Sequence, residues 1–270
     1  MTSFMRKFTE FLKEFPHIAV VEVTEAKGST PRETGAWMLV TPKSTLGTIG
    51  GGQLEFLAIA KARELIDSNL RRGTISVPLG PEIGQCCGGR VALDIRLADQ
   101  QERAILTERV KEAHQRRPHI YLFGAGHVGK ALAAALSHLP FRVFLVDTRP
   151  DSLEEIPPDV QPVPIAMPEV LVREAPPASA FVILTHDHAL DFLITREALA
   201  RTDAAYVGMI GSKTKKATFH NWLLREGGTE EDFARLVSPI GGHSVPDKRP
   251  EVIAALAAAE IVRAVLLAAE

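Results

Sequence analysis

His119-Ile120-Tyr121-Leu122-Phe123-Gly124-Ala125-Gly126-His127-Val128-Gly129 is the stretch that decides how the second half of this chain folds. A short apolar strand pattern runs into glycines spaced G-x-G-x-x-G, and an apolar helical pattern follows over residues 128–139. Residues 141–146 read as the next strand and close with Asp147, at the position where such folds hold a ribose hydroxyl. Strand, helix, strand and acid in that order predict a Rossmann-like doubly wound sheet. Three further strand patterns, residues 180–185, 205–210 and 236–237, end in His186-Asp187-His188, Gly211-Ser212-Lys213 and Ser238-Pro239-Ile240-Gly241. In a doubly wound sheet the carboxyl ends of the strands open onto one crevice, so these polar residues are expected to converge there. Gly124, Gly126, Gly129, Asp147, His186 and Lys213 are therefore candidate binding residues. His186, Asp187, His188 and Asp191 invite a metal reading, but metal sites draw ligands from several separate segments. A polar loop lining the crevice is the preferred reading. Lys213 opens a helix start with Lys215 and Lys216, a second place to meet an anion.

Upstream, the same strand-and-turn logic gives a different architecture. Phe4, Phe8, Phe11, Leu12 and Phe15 recur at helical spacing and predict an amphipathic first helix. Residues 17–24, 36–41, 46–49, 74–79 and 90–97 read as strands, the second and third as a hairpin, with a helix from Gln53 to about Leu70. An α+β unit of mostly antiparallel pairings is expected. Gly50-Gly51-Gly52 empties directly into that helix, where unpaired N–H groups and the helix dipole favour an anion. Arg32, in the turn-rich loop over residues 27–35, adds a fixed cation.

The only cysteines are Cys86 and Cys87, inside Gln85-Cys86-Cys87-Gly88-Gly89. Neighbouring Cα atoms lie ~3.8 Å apart, too close for an ordinary disulfide, and no third cysteine offers a partner. Gly88 and Gly89 let the backbone bend and let a large group approach the thiols. A thiolate in such a turn suits a soft metal, a sulfur-transfer partner or a covalent acceptor. Two small buried hydrophobes would be the plain alternative, but the double glycine and the polar Gln85 speak against it.

The totals narrow the class. The 270 residues are 46% hydrophobic and 24% charged with a net charge of −2, which argues against a nucleic-acid partner. Length and pattern predict an α/β chain of two domains: residues 1–98 with the cysteine turn, a helical linker over 99–117, and a Rossmann-like domain over 118–270. Charges interrupt the first fifteen residues, so no signal peptide is expected, and Glu260 and Arg263 mark the Ala-rich C-terminal stretch as a buried helix, not a membrane span. Cysteines without partners fit the cytoplasm, and the nearly uncharged C-terminal helix suggests a homodimer.

Gly28-Ser29-Thr30-Pro31-Arg32, Gly47-Thr48-Ile49-Gly50-Gly51-Gly52-Gln53-Leu54-Glu55, Gly84-Gln85-Cys86-Cys87-Gly88-Gly89 and the G-x-G-x-x-G, together with Thr185-His186-Asp187-His188, Tyr206-Val207-Gly208-Met209-Ile210-Gly211-Ser212 and Ser238-Pro239-Ile240-Gly241, follow one another in the order seen in one family. The chain resembles the XdhC/CoxI family of molybdenum-enzyme accessory proteins over nearly its whole length. That resemblance implies a chaperone, not an enzyme. It would bind the molybdenum cofactor in its molybdopterin form, hold it during sulfuration by a cysteine desulfurase, and deliver it to apo xanthine dehydrogenase. It also implies Cys87 as the general metal-contacting thiol and Cys86 as the mark of the xanthine dehydrogenase branch. An NAD(P)-dependent oxidoreductase is the rival from another class, with a sulfur-transfer enzyme using Cys87 as persulfide carrier as a third reading. Neither Tyr121 nor Tyr206 has a lysine four residues later to support the oxidoreductase.

Overall fold

In a computed structural model the described residues are 3–68, 70–80, 88–242 and 244–268. They form two compact units, Met1–Gln115 and Arg116–Glu270.

The first unit is an antiparallel sheet sandwiched between helices. Its strands are β1 (Ala19–Lys27), β2 (Trp37–Val40), β3 (Thr45–Gly47), β4 (Arg72–Pro78) and β5 (Arg90–Leu97), in the order β3-β2-β1-β5-β4. The first half of central β1, residues 19–23, is buried on both faces, which is why it is apolar apart from Glu22. Ala19, Val21 and Val23 face Leu54, Ala58, Ala62 and Leu65 of α2 (Gly52–Ser68). Val20 points the other way, by strand alternation, into a core shared with Phe8 and Phe11 of α1 (Ser3–Glu14). The expected linker over 99–117 contains α3 (Gln100–Gln115), whose Leu106 and Val110 are buried in that same core. Glu22 and Asp94 lie directly opposite each other on β1 and β5, a repulsive pairing if left alone. Arg96 resolves it, bonding Glu22 at 2.8 Å and Asp94 at 2.9 Å, while Arg109 bonds Glu22 at 2.7 Å. Burial pushes the Glu22 carboxyl up, but the two arginines outweigh it and hold the group below the usual carboxylate range.

The second unit is a parallel sheet of β6 (His119–Phe123), β7 (Arg142–Asp147), β8 (Val160–Pro164), β9 (Ala180–Ile183), β10 (Tyr206–Met209) and β11 (Leu236–Val237). The order β11-β10-β9-β6-β7-β8 reverses direction between β6 and β9, as a Rossmann-like sheet requires. Ile120 and Leu122 face one core with α4 (His127–Ser137) and α9 (Pro250–Leu267). Tyr121 and Phe123 face another, completed by α5 (Glu169–Glu174), α6 (His188–Ala200) and α7 (Lys213–Arg225). The C-terminal helix α9 buries Ala254, Ala257, Ala258, Ile261 and Val265 in the first of these cores. Strand β8, Val-Gln-Pro-Val-Pro, was not legible in the sequence, because its two prolines argue against a strand. It lies at the sheet edge, where a missing N–H costs little. Among the described residues no helix is long and apolar enough to cross a membrane.

His119, at the start of β6, makes this unit sensitive to acid. Burial and then the Arg142 guanidinium pull its pKa down from 6.5 to about 4. Its Nε2 lies 3.1 Å from Arg142, so that nitrogen accepts and the folded ring is neutral, with Nδ1 toward the Tyr121 hydroxyl at 3.3 Å. The unfolded chain therefore binds the extra proton first, and stability falls as pH drops from about 6.5 toward 4. In His119→Gln that part of the pH dependence should vanish, as measured by urea midpoints at several pH values.

Candidate functional site

In the first unit three glycine-bearing loops meet. A Cβ on Gly89 would lie 2.3 Å from the Ser29 carbonyl oxygen and 2.6 Å from that of Lys27, so only glycine fits. Ser29 and Gly88 form an isolated parallel bridge. On the far side of the same loop, a Cβ on Gly50 would meet the Pro31 ring at 2.6 Å and Arg32 Cγ at 3.5 Å. The loop over residues 27–32 thus touches both glycine turns, Gly88–Gly89 at Lys27 and Ser29 and Gly50 at Pro31 and Arg32. Gly51 and Gly88, both with positive φ, have nothing among the described residues within 4 Å of the space a Cβ would fill, so that side of each is uncovered although both N–H groups are bonded within the chain. Arg32 is exposed and, among the described residues, meets no carboxylate. Gln85, Cys86 and Cys87 lie outside the described residues. What is described is the base of their loop, where Gly88 N–H donates to the Leu79 carbonyl and Leu79 N–H to that of Gly89, each at 2.7 Å.

The N–H groups of Gly50 and Gly51, expected to await an external anion, are held by the chain itself. Glu55 Oε2 accepts from the Gly51 N–H at 3.0 Å, the Ile49 N–H at 3.2 Å and the Thr48 hydroxyl at 2.7 Å. Thr48 Oγ1 in turn accepts from the Gly50 N–H at 3.1 Å. A carboxylate in the first turn of α2 satisfies the free amides of its own helix start. Sequence reading passed over Glu55, although an acid just inside a glycine-led helix is a recognisable capping signal.

In the second unit, a Cβ on Gly129 would lie 1.9 Å from the Gly124 carbonyl oxygen, and one on Gly124 would lie 2.6 Å from the Leu184 carbonyl. Both glycines serve close packing. Gly126 alone is open, with nothing within 4 Å, at the uncapped start of α4. Asp147, expected to hold a ribose, already carries bonds within the chain. It accepts from the Ala125 N–H at 2.8 Å, the Arg149 N–H at 3.0 Å and Arg149 Nε at 3.1 Å. Burial pushes its carboxyl up, but these bonds outweigh it and leave the group below its ordinary value.

The residues that suggested a metal have separate duties. Asp187 caps α6, accepting from Ala189 N–H at 2.8 Å. Asp191 is fully buried; it pairs with Lys215 and accepts from Thr185 Oγ1 at 2.6 Å. His186 and His188 are exposed. Among the described residues no group of three or more His, Cys, Asp or Glu side chains is placed to hold a metal. Lys213 is exposed at the start of α7. Two of the second unit's motifs are tied by a residue outside both: Glu260 of α9 accepts from the Tyr206 hydroxyl at 3.0 Å and the Gly241 N–H at 2.8 Å. Burial first, then the Glu260 carboxylate, pushes the Tyr206 phenol far above its ordinary value.

These arrangements match known proteins at two levels. Residues 120–261, more than half of the chain, match the XdhC Rossmann domain model, and residues 15–78 match that of the XdhC and CoxI family. YqeB of Escherichia coli (strain K12), an uncharacterized protein, is 28% identical over 258 residues, covering 91% of this chain. The chain spans 43% of the length of that relative. A crystal structure of a xanthine dehydrogenase from Bacillus halodurans superposes with a TM-score of 0.80 at 18% identity, covering 99% of this chain and 96% of that one. At such identity the likeness speaks to fold alone. The family models carry the assignment, and they fall on both units: the chain belongs to the XdhC and CoxI family.

Proposed function

We propose that this protein is a maturation factor for xanthine dehydrogenase that carries the molybdenum cofactor, a pterin dithiolene with a terminal phosphate. Family membership supports the maturation role. The observation that carries the cargo reading is that the loop over residues 27–32 touches both glycine turns, Gly88–Gly89 through Ser29 and Gly50 through Pro31 and Arg32, with the Arg32 guanidinium exposed and meeting no carboxylate among the described residues. The donor set fits such a cargo. A thiolate is a soft ligand for molybdenum, and Arg32 offers a planar fork for the phosphate. With the Gly50 and Gly51 amides committed to Thr48 and Glu55, Arg32 takes the larger share of that charge. The carrier works in the cytoplasm as a homodimer, holds the cofactor while a cysteine desulfurase sulfurates it, and passes it to apo xanthine dehydrogenase with no turnover of its own.

The test is direct. Purified protein is mixed with molybdenum cofactor and passed through gel filtration, and molybdenum and pterin should elute with the protein. Cys87→Ser should weaken binding about tenfold or more, since a hydroxyl is a harder and far less ionised ligand. Cys86→Ser should do less. A protein peak without pterin or metal, or two variants that bind as the wild type does, would remove the proposal. A persulfide on Cys87 found by mass spectrometry would instead favour a sulfur carrier.

A further inference from the structure

The second unit holds a cavity of about 420 Å³ at the carboxyl ends of β10 and β11. Lys213 and Lys216 of α7 line it, with Ser212, His220, Phe233 and Pro239. Its charge is one-sided, because no carboxylate lies among its lining residues. Two cavities of similar size in the first unit differ in this respect: one includes Asp99 and Glu102, the other Glu22 and Asp94.

Neither lysine meets a carboxylate among the described residues, unlike several other cations of their unit. Arg149, Arg173, Arg201, Lys215, Arg235 and Arg249 each meet a carboxylate. Lys216 is instead pinned by the Ser238 carbonyl at 3.1 Å and sits 5.6 Å from the centre of the Phe233 ring. That leaves its charge uncompensated and two of its N–H groups uncommitted. Lys213 is exposed beside it with no carboxylate among the described residues. Ser212 Oγ accepts from the Lys215 N–H at 3.2 Å, so its own O–H is available to donate. Of the lining side chains, only His220 has an acid beside it, with Glu230 at 2.9 Å from Nε2. Phe233 and Pro239 supply an apolar wall. A cavity of this size with an apolar wall and a few converging donors has the make-up of a small-molecule site.

We propose that this cavity binds a small phosphomonoester with a flat apolar body. The phosphate lies on Lys213, Lys216 and the Ser212 hydroxyl, and the body lies against Phe233 and Pro239. The site is separate from the cofactor-carrier reading, since neither cysteine nor Arg32 takes part in it.

Phenyl phosphate and inorganic phosphate titrated into the full chain by calorimetry would test it. Phenyl phosphate should bind about tenfold tighter than inorganic phosphate, from burial of its ring. Lys213→Gln and Lys216→Gln should each weaken it about tenfold through loss of a charge-assisted bond. Lys216 also holds the Ser238 carbonyl, so Lys213→Gln, on an exposed helix start, is the variant that leaves the fold untouched; an unchanged melting temperature would show this. Equal affinity of wild type and Lys213→Gln for phenyl phosphate would overturn the site. So would equal binding of the two phosphates, or no binding of either at millimolar concentration.

Discussion

Asp191→Ala is expected to destabilise the second unit by about 3–5 kcal/mol, the usual cost of leaving one member of a buried ion pair alone. Asp191 is fully buried and the Lys215 side chain is 8% exposed, so the orphaned ammonium could not readily reach water. Its remaining bond, to the Ile210 carbonyl at 3.0 Å, does not neutralise it. Thr185 would lose its hydroxyl and N–H acceptor in the same step. The pair ties the carboxyl end of β9 to that of β10, so the crevice edge should loosen with it. Replacing both partners, as Asp191→Leu with Lys215→Met, should recover much of the loss, because no buried charge then remains. Urea unfolding of the full chain measures both variants. A single variant within about 1 kcal/mol of wild type would show that Lys215 escapes to solvent.

Gly129→Ala should be as damaging, at roughly 3 kcal/mol or more, for a different reason. The added methyl would sit 1.9 Å from the Gly124 carbonyl oxygen, and that obstacle is backbone with no rotamer to change. Helix α4 would have to lift off the turn after β6, exposing Leu132, Ala133 and Leu136 from their core with α9. Gly126→Ala is the matched comparison. Its φ is −74° and nothing lies within 4 Å of the new carbon, so stability should change by less than about 1 kcal/mol. Thermal melts of the two variants separate a glycine needed for packing from one that keeps the start of α4 approachable. Similar melting temperatures for both would mean that the turn after β6 adapts.

The Rossmann-like sheet was readable because its signals are local. Residues 119–129 carry the strand, the glycine turn and the helix start within eleven consecutive positions, and steric demands on glycine act over that range. The amphipathic α1 was readable for the same reason: Phe8 and Phe11 fall on one face by spacing alone. The link between the two glycine turns was legible only as separate motifs; the Ser29–Gly88 bridge and the Pro31–Gly50 contact join both to the loop over residues 27–32. Tertiary structure also decided how the charged groups are spent. Asp147, expected as a ribose ligand, takes the Arg149 guanidinium, a partner that the sequence did not reveal. Asp191 looked like a metal ligand until Lys215, 24 residues on, closed the pair, and Glu260 reaches Tyr206 across 54 residues. Sequence alone set the backbone periodicities and the glycine turn that opens α4, because both are enforced over a few residues, whereas the carbonyls that crowd Gly89 and Gly124 come from Ser29 and Leu184, far along the chain. Which carboxylate meets which cation was left to the fold, because the pairing energy depends on burial and distance, and neither exists until the chain has closed on itself.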